Sequence, residues 1–160
     1  MIKKIAIIGA ECSGKSTLTK RLAIQNQGIA VFEYLRHYCS LYGIPSSLNQ
    51  QIFIAKKQIE LENIAVFNSL KLSLKGQYRQ IFCDTSPLLT YIYTLYYFKI
   101  DSEFLKELAI KHQKTYQKTF LLRPLAWIAD GQRDSPKVQR IIYNMLLDYL
   151  NKFKIKFDFY

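Results

Sequence analysis

The sequence has few of the residues from which covalent or metal-bound scaffolds are built. Its 160 residues include three cysteines and two histidines, and no two cysteines have the C-x-x-C spacing. Neither a disulfide framework nor a zinc site is therefore supported. There are six glycines, four prolines and one tryptophan, and neither a low-complexity tract nor an internal repeat is visible.

Long apolar runs are also missing. No apolar stretch reaches the roughly 20 residues that a membrane-spanning helix needs. Because the first apolar segment begins almost at the N-terminus, we expect no signal peptide. These absences predict a cytoplasmic protein with no membrane partner, and the length predicts one domain over residues 1–160.

Acidic residues are scarce beside basic ones. Twelve Asp and Glu face 23 Lys and Arg, which gives a net charge of +11. The basic residues are scattered along the chain instead of forming one block, as is typical of a solvated basic surface. Such a surface attracts anionic nucleotides. We expect no nucleic-acid partner, and the pattern leaves the oligomeric state open.

The most informative segment is residues 9–16, GAECSGKS, which fits the motif G-x-x-x-x-G-K-[ST]. The apolar run 5–8 before it predicts a buried strand, and residues 16–23 after it predict a helix. Strand, glycine loop and helix come in the order that a phosphate-binding loop requires. The alternative is a glycine-rich turn that happens to spell the motif.

Within this loop, backbone N–H groups at a helix N-terminus would surround the phosphates of ATP. Lys15 is predicted to contact the β- and γ-phosphates, and the Ser16 hydroxyl to coordinate Mg²⁺. An incidental small residue is the preferred interpretation of Cys12, over a reactive thiol. The remaining predicted nucleotide-binding residues are Gly9, Glu11, Cys12, Ser13, Gly14 and Thr17.

Two further apolar segments end in carboxylates. Residues 29–32 and 81–83 predict strands that are followed by Glu33 and Asp84. Carboxyl ends of parallel strands face the ligand crevice, so Glu33 is placed toward substrate together with the residues that follow it, Arg36, His37 and Tyr38.

Asp84 is predicted to hold Mg²⁺ opposite the phosphate-binding loop. Each carboxylate has an alternative role. Glu33 could be an exposed residue at a strand end, and Asp84 could cap the helix that begins near Pro87.

Two predictions concern the helices between these strands. Gly28 suits the left-handed position that ends the first helix. Ser47 could cap a long amphipathic helix. Its polar residues would lie on a solvated face or contact substrate: Gln51, Lys56, Gln58 and Glu62.

The segment 123–133 follows a fourth predicted strand, at residues 119–122, and contains Trp127, Asp130 and Arg133. Such a segment can close over bound nucleotide and bring Arg133 to the transferred phosphoryl group. A surface loop held by packing of Trp127 is the alternative. A helix from Pro136 and a weak fifth strand complete a three-layer α/β P-loop fold with a parallel sheet of about five strands.

Four blocks of this sequence, residues 9–17, 32–38, 83–85 and 124–133, resemble the signature blocks of the ribosylnicotinamide kinase domain of NadR-type NAD-biosynthesis proteins, a P-loop ATPase/kinase family. The resemblance implies ATP- and Mg²⁺-dependent phosphorylation of the 5′-hydroxyl of nicotinamide riboside, which gives nicotinamide mononucleotide. It also implies the strand order 2-3-1-4-5.

The resemblance implies roles for particular residues. Glu33 or Asp84 would accept the hydroxyl proton, Arg36 and Arg133 would stabilise phosphoryl charge, and Trp127 with nearby aromatic residues would hold the pyridinium ring. The implied catalytic set is Lys15, Glu33, Asp84 and Arg133, and the implied substrate-binding set is Phe32, Glu33, Arg36, Tyr38, Trp127 and Asp130.

Phe32 stands where this family often has tryptophan, which leaves a kinase for another nucleoside or small metabolite open. A regulatory module that binds ATP without turnover is the third hypothesis.

Overall fold

A computed structural model describes residues 2–73, 80–126 and 135–160 of the chain. In these residues the strands are β1 Lys3–Ile8, β2 Ile29–Val31, β3 Gln80–Asp84, β4 Lys118–Leu121 and β5 Asp158–Phe159. The α-helices are α1 Lys15–Gln25, α2 Tyr34–Tyr42, α3 Leu48–Ser73, α4 Pro87–Tyr93, α5 Glu103–Gln113 and α6 Pro136–Lys152, and a π-helical turn Thr94–Phe98 follows α4.

The five strands form one parallel sheet in the order β2-β3-β1-β4-β5. Both the strand number and the strand order agree with the prediction. Parallel neighbours need crossover connections, and the helices between the strands supply them. The architecture is therefore the predicted three-layer α/β fold with a five-stranded parallel sheet.

Both faces of the sheet are covered because successive side chains of a strand point to opposite sides. On β1, Ile5 and Ile7 pack with Leu18 of α1. Ala6 and Ile8 belong to the larger core on the other face, which includes side chains of α3, α4, α5 and α6. The interior on both faces of the sheet is therefore largely apolar.

The end of α1 differs from the prediction for Gly28. The residue with the left-handed backbone is Gln27, with φ of 49°, whereas Gly28 donates its N–H to the Ala23 carbonyl at 2.8 Å. Gly28 is needed for space: a Cβ at this position would lie 2.7 Å from the Gln80 carbonyl oxygen.

Helix α3 also differs from its predicted solvated face. Lys56 is exposed as predicted, but Gln51, Gln58 and Glu62 are 3%, 2% and 0% exposed. The prediction was wrong for these three residues because α3 packs against β2, β3 and α4, which leaves its polar stripe inside the protein.

No helix in the described part of the chain is both long and apolar enough to cross a membrane.

Candidate active site

The phosphate-binding loop joins β1 to α1 through two residues with left-handed backbone, Cys12 at φ 52° and Gly14 at φ 80°. Gly14 is the N-cap of α1 and allows this geometry without a Cβ clash. Gly9 is required by close approach, since a Cβ there would lie 2.6 Å from Ser13 Oγ and 3.0 Å from the Leu122 carbonyl oxygen. The observed strand, loop and helix have the predicted order.

Lys15 stays inside this loop. It is 8% exposed, and its Nζ donates to the Ala10 carbonyl at 2.9 Å. The Ser13 hydroxyl donates to the same carbonyl at 2.8 Å. The loop therefore holds a buried ammonium group at the N-terminus of a helix, where an anion would be favoured.

Asp84 ends β3 directly opposite the loop. Its Oδ2 accepts a hydrogen bond of 2.5 Å from the Ser16 hydroxyl, and the residue is 1% exposed. Burial raises the pKa of Asp84, while the Ser16 hydrogen bond and the Lys15 charge act against that rise. The carboxylate is bonded to Ser16 and α4 has Ser86 as its N-cap, so capping does not account for Asp84.

The donor set of Ser16 and Asp84 fits Mg²⁺. Asp84 Oδ1 is buried and has no hydrogen-bond partner, and the neighbouring hydroxyl oxygen is also a hard ligand. No cluster of three or more His, Cys, Asp or Glu that could hold a metal is found within residues 2–73, 80–126 and 135–160. Mg²⁺ at phosphate sites needs few protein ligands because it keeps several waters and binds phosphate oxygens.

Glu33 follows β2 and lies half-buried at the same edge of the sheet. Burial raises the pKa of Glu33, and the charge of Lys15 lowers it in part. Asp84 raises it further and Arg36 lowers it, so both residues are near enough to act electrostatically on Glu33. Ser16 thus contacts Asp84 directly, while Lys15, Arg36 and Asp84 lie within electrostatic range of Glu33.

Of the three predicted aromatic contacts, Phe32 and Tyr38 lie within the described residues, and they occupy different places. Phe32 is 53% exposed and lines a groove of about 700 Å³ together with Ser16, Thr17, Lys20, Arg21 and Ile24. Tyr38 is buried between α2 and α3, where its ring lies 5.1 Å from that of Tyr42 and 6.3 Å from that of Phe53. Phe32 therefore accompanies the phosphate-binding loop, whereas Tyr38 lines a second groove with Asn49 and Gln50.

The sequence analysis missed Gln139, which ties α6 to the loop. This residue is 6% exposed, and its Nε2 donates to the Glu11 carbonyl at 2.8 Å and to the Leu125 carbonyl at 3.3 Å. The Leu125 N–H in turn donates to the Cys12 carbonyl at 3.0 Å. A polar residue at the first position of the stripe that continues with Ile142 and Leu146 was the signal that could have identified it.

Thr85 was also missed. It has φ of 81°, which is rare for a β-branched residue, and its buried hydroxyl makes no hydrogen bond, like that of Ser86 beside it. Backbone strain of this kind is found most often at functional sites.

The remaining predicted site residues, Trp127, Asp130 and Arg133, lie outside the described residues.

A family model described as an AAA domain matches residues 4–158. The chain belongs to this AAA domain family. The matched residues include the strand, glycine loop and helix described above, and the match confirms the resemblance to a P-loop ATPase/kinase family. A comparison with curated protein sequences gave no significant match.

Solved structures support the same fold for this AAA domain. NadR protein in complex with NR is 21% identical with a TM-score of 0.77, over 99% of this chain and 45% of that one. NadR protein in complex with NAD and AMP-PNP is 20% identical with a TM-score of 0.74, over 99% and 44%. Thymidylate kinase from Ehrlichia chaffeensis is 17% identical with a TM-score of 0.62, over 98% and 85%. The chain thus spans less than half the length of the two NadR chains.

Proposed function

We propose that this protein transfers the γ-phosphoryl group of ATP to the 5′-hydroxyl of nicotinamide riboside. The observation that carries the proposal is the meeting of Lys15, the Ser16–Asp84 hydrogen bond and Glu33 at one edge of the sheet. The similarity in fold to NadR, which was solved with NR and with AMP-PNP, supports both substrates.

Under this proposal the protein supplies charge and position. Lys15 and the loop N–H groups bind the β- and γ-phosphates, and Arg36 stabilises phosphoryl charge. Ser16 and Asp84 would hold Mg²⁺, which offsets the charge of the phosphate oxygens when bound.

We assign the general base to Glu33, because the Asp84 carboxylate already accepts from Ser16 and suits the metal. The raised pKa of Glu33 also strengthens it as a proton acceptor.

A second acceptor class is favoured by the groove beside the loop. Lys20 and Arg21 line it together with Phe32. A pyridinium ring over the Phe32 face would gain from the cation–π interaction, but two nearby cations would oppose it. This lining favours an uncharged nucleoside or a small metabolite as the acceptor.

The experiment is ADP release with Mg-ATP across a panel of nucleosides that includes nicotinamide riboside. Release with nicotinamide riboside alone supports the full proposal, and release with another nucleoside supports the second acceptor class. ATP binding that raises the melting temperature without release for any acceptor would overturn the kinase proposal in favour of a regulatory module.

A further inference from the structure

The N-terminus of α2 carries Glu33 and Arg36 into the site, yet it has no cap of its own. The first N–H groups of a helix lack partners within the helix. Glu33 is the N-cap of α2 and makes no side-chain capping bond. The Tyr34 N–H instead donates at 2.8 Å to Oε1 of Gln58, which reaches across from α3 and is 2% exposed. A buried amide from another helix therefore caps α2.

The orientation of this amide is set one turn further along α3. Gln58 Nε2 donates to Oε1 of Glu62 at 3.4 Å. A flipped amide would place two donors together at Tyr34 and two acceptors together at Glu62. The carboxylate at Glu62 thus keeps the oxygen of Gln58 pointed at α2.

Glu62 is itself fixed by three elements. Its Oε2 lies 2.9 Å from Nζ of Lys4 on β1 and 2.7 Å from Nε2 of His112 on α5. Its Oε1 accepts a hydrogen bond of 2.8 Å from the Tyr116 hydroxyl. Glu62 is 0% exposed. Its position therefore follows from the packed interior and not from solvent.

We propose that Gln58 and Glu62 are positioning residues, which hold the first turn of α2 so that Glu33 and Arg36 face the phosphate-binding loop. The catalytic part of this inference rests on the proposed phosphoryl transfer. The structural part, that Gln58 holds α2, is independent of it. If the first turn of α2 moved, Glu33 would move with it, and a shift of about 1 Å in a catalytic group can reduce the rate roughly 100-fold.

The matched variants are Gln58→Leu and Gln113→Leu. Gln113 is 4% exposed, and its Nε2 donates to Thr119 Oγ1 at 2.8 Å near the opposite ends of the strands. Both changes replace a buried amide with an apolar side chain: Gln58→Leu removes the hydrogen bonds to Tyr34 and Glu62, and Gln113→Leu removes the bond to Thr119. We expect Gln58→Leu to lower kcat by roughly 10- to 100-fold with a smaller change in the KM for ATP. Gln113→Leu should keep kcat within about twofold.

Gln58→Glu gives a second readout that a general loss of stability would not produce. A protonated carboxyl can accept from the Tyr34 N–H and donate to Glu62, as the amide does. Once ionised, it stands beside the Glu62 carboxylate, with Tyr116, His112 and Lys4 around the pair. We expect its kcat relative to wild type to fall as pH rises, over conditions in which both proteins are folded.

Amide hydrogen exchange of residues 32–38 measures how often the first turns of α2 open, and it needs no assay of turnover. Faster exchange of this segment in Gln58→Leu than in Gln113→Leu is expected. Equal exchange in the two variants, or an equal loss of kcat, would overturn the inference. A wild-type protein without phosphoryl transfer would refute the proposed function alone, because the exchange comparison still supports or overturns the role of Gln58 in holding α2.

Discussion

Two buried lysines lie near opposite ends of β1, and each meets buried carboxylates in a different way. At the start of the strand, Lys4 pairs with Glu62 at 2.9 Å, and both residues are 5% exposed or less. Just beyond the other end, Lys15 donates to its own loop, while Asp84 retains a buried oxygen without a partner. Both oxygens of Glu62 therefore have partners within the protein, whereas one oxygen of Asp84 has none.

The pKa directions follow this difference. Burial would raise the pKa of Glu62, but the His112 hydrogen bond and the Lys4 charge outweigh it and the pKa is lowered. Burial raises the pKa of Asp84 and of Glu33, and their partners do not compensate fully. Carboxylates whose burial is not fully offset by hydrogen bonds and opposite charges are typical of sites that bind ligand. Carboxylates whose burial is fully offset are typical of structural polar clusters.

The largest expected effect comes from breaking the buried ion pair between Lys4 and Glu62. Lys4→Met leaves the Glu62 carboxylate buried without its cation, so the free energy of unfolding should fall by about 3–5 kcal/mol. Urea unfolding followed by circular dichroism measures it. The control is Lys57→Ala, which breaks the exposed pair with Glu60 on α3 and should give no measurable change. Similar losses in the two variants would contradict the distinction between buried and exposed pairs.

The other lysine should affect turnover instead of stability. Lys15→Ala removes a buried positive charge from the phosphate-binding loop, and kcat should fall by about 100- to 1000-fold. The assay is acceptor-dependent ADP release with Mg-ATP. Lys111→Ala, on the exposed face of α5, lowers the net charge equally and should keep kcat near the wild-type value. Normal turnover in Lys15→Ala would refute the role of this residue.

Asp84→Asn sharpens the comparison further because stability and turnover should move in opposite directions. The raised pKa of Asp84 means that its ionised form is less stable in the folded protein than in the unfolded chain. Without Mg²⁺, the melting temperature should therefore stay equal or rise, while kcat falls roughly 100-fold. A parallel loss of stability and turnover would indicate that Asp84 is structural.

The smallest expected effect is a change in how stability depends on pH. The pKa of Glu62 is lowered in the folded protein, so its stabilisation is present above the unfolded glutamate value of about 4.3 and is lost as pH falls toward the folded value. Glu62→Gln should flatten this acid limb of the stability curve. Unfolding free energies measured from pH 6 to pH 3 test it, and an unchanged slope would count against the Lys4–Glu62 pairing.

Much of the site could be predicted because its chemistry is local in sequence. Residues 9–16 form a loop whose conformation depends on its own glycines, and Glu33 and Asp84 each follow a short apolar strand. Parallel strands place such residues at one edge by topology alone.

Gln58 and Thr85 could not be identified in this way, and the signal for Gln139 was its place on the buried stripe of α6, which does not tell what it contacts. The two glutamines act on backbone groups far away in sequence, at Tyr34 and at Glu11, and Thr85 is distinguished only by its φ of 81°. No local pattern shows which distant backbone group a buried polar side chain will contact.

The sequence by itself determined the parallel α/β fold, the phosphate-binding loop and the two strand-end carboxylates, because apolar periodicity and glycine placement act over a few residues. Only the tertiary structure decided that Glu62 and Gln58 are buried, that Lys4 neutralises one carboxylate while Asp84 keeps an unpartnered oxygen, and that α2 is capped by α3. Burial and pairing depend on which elements pack together, and that is a property of the whole chain.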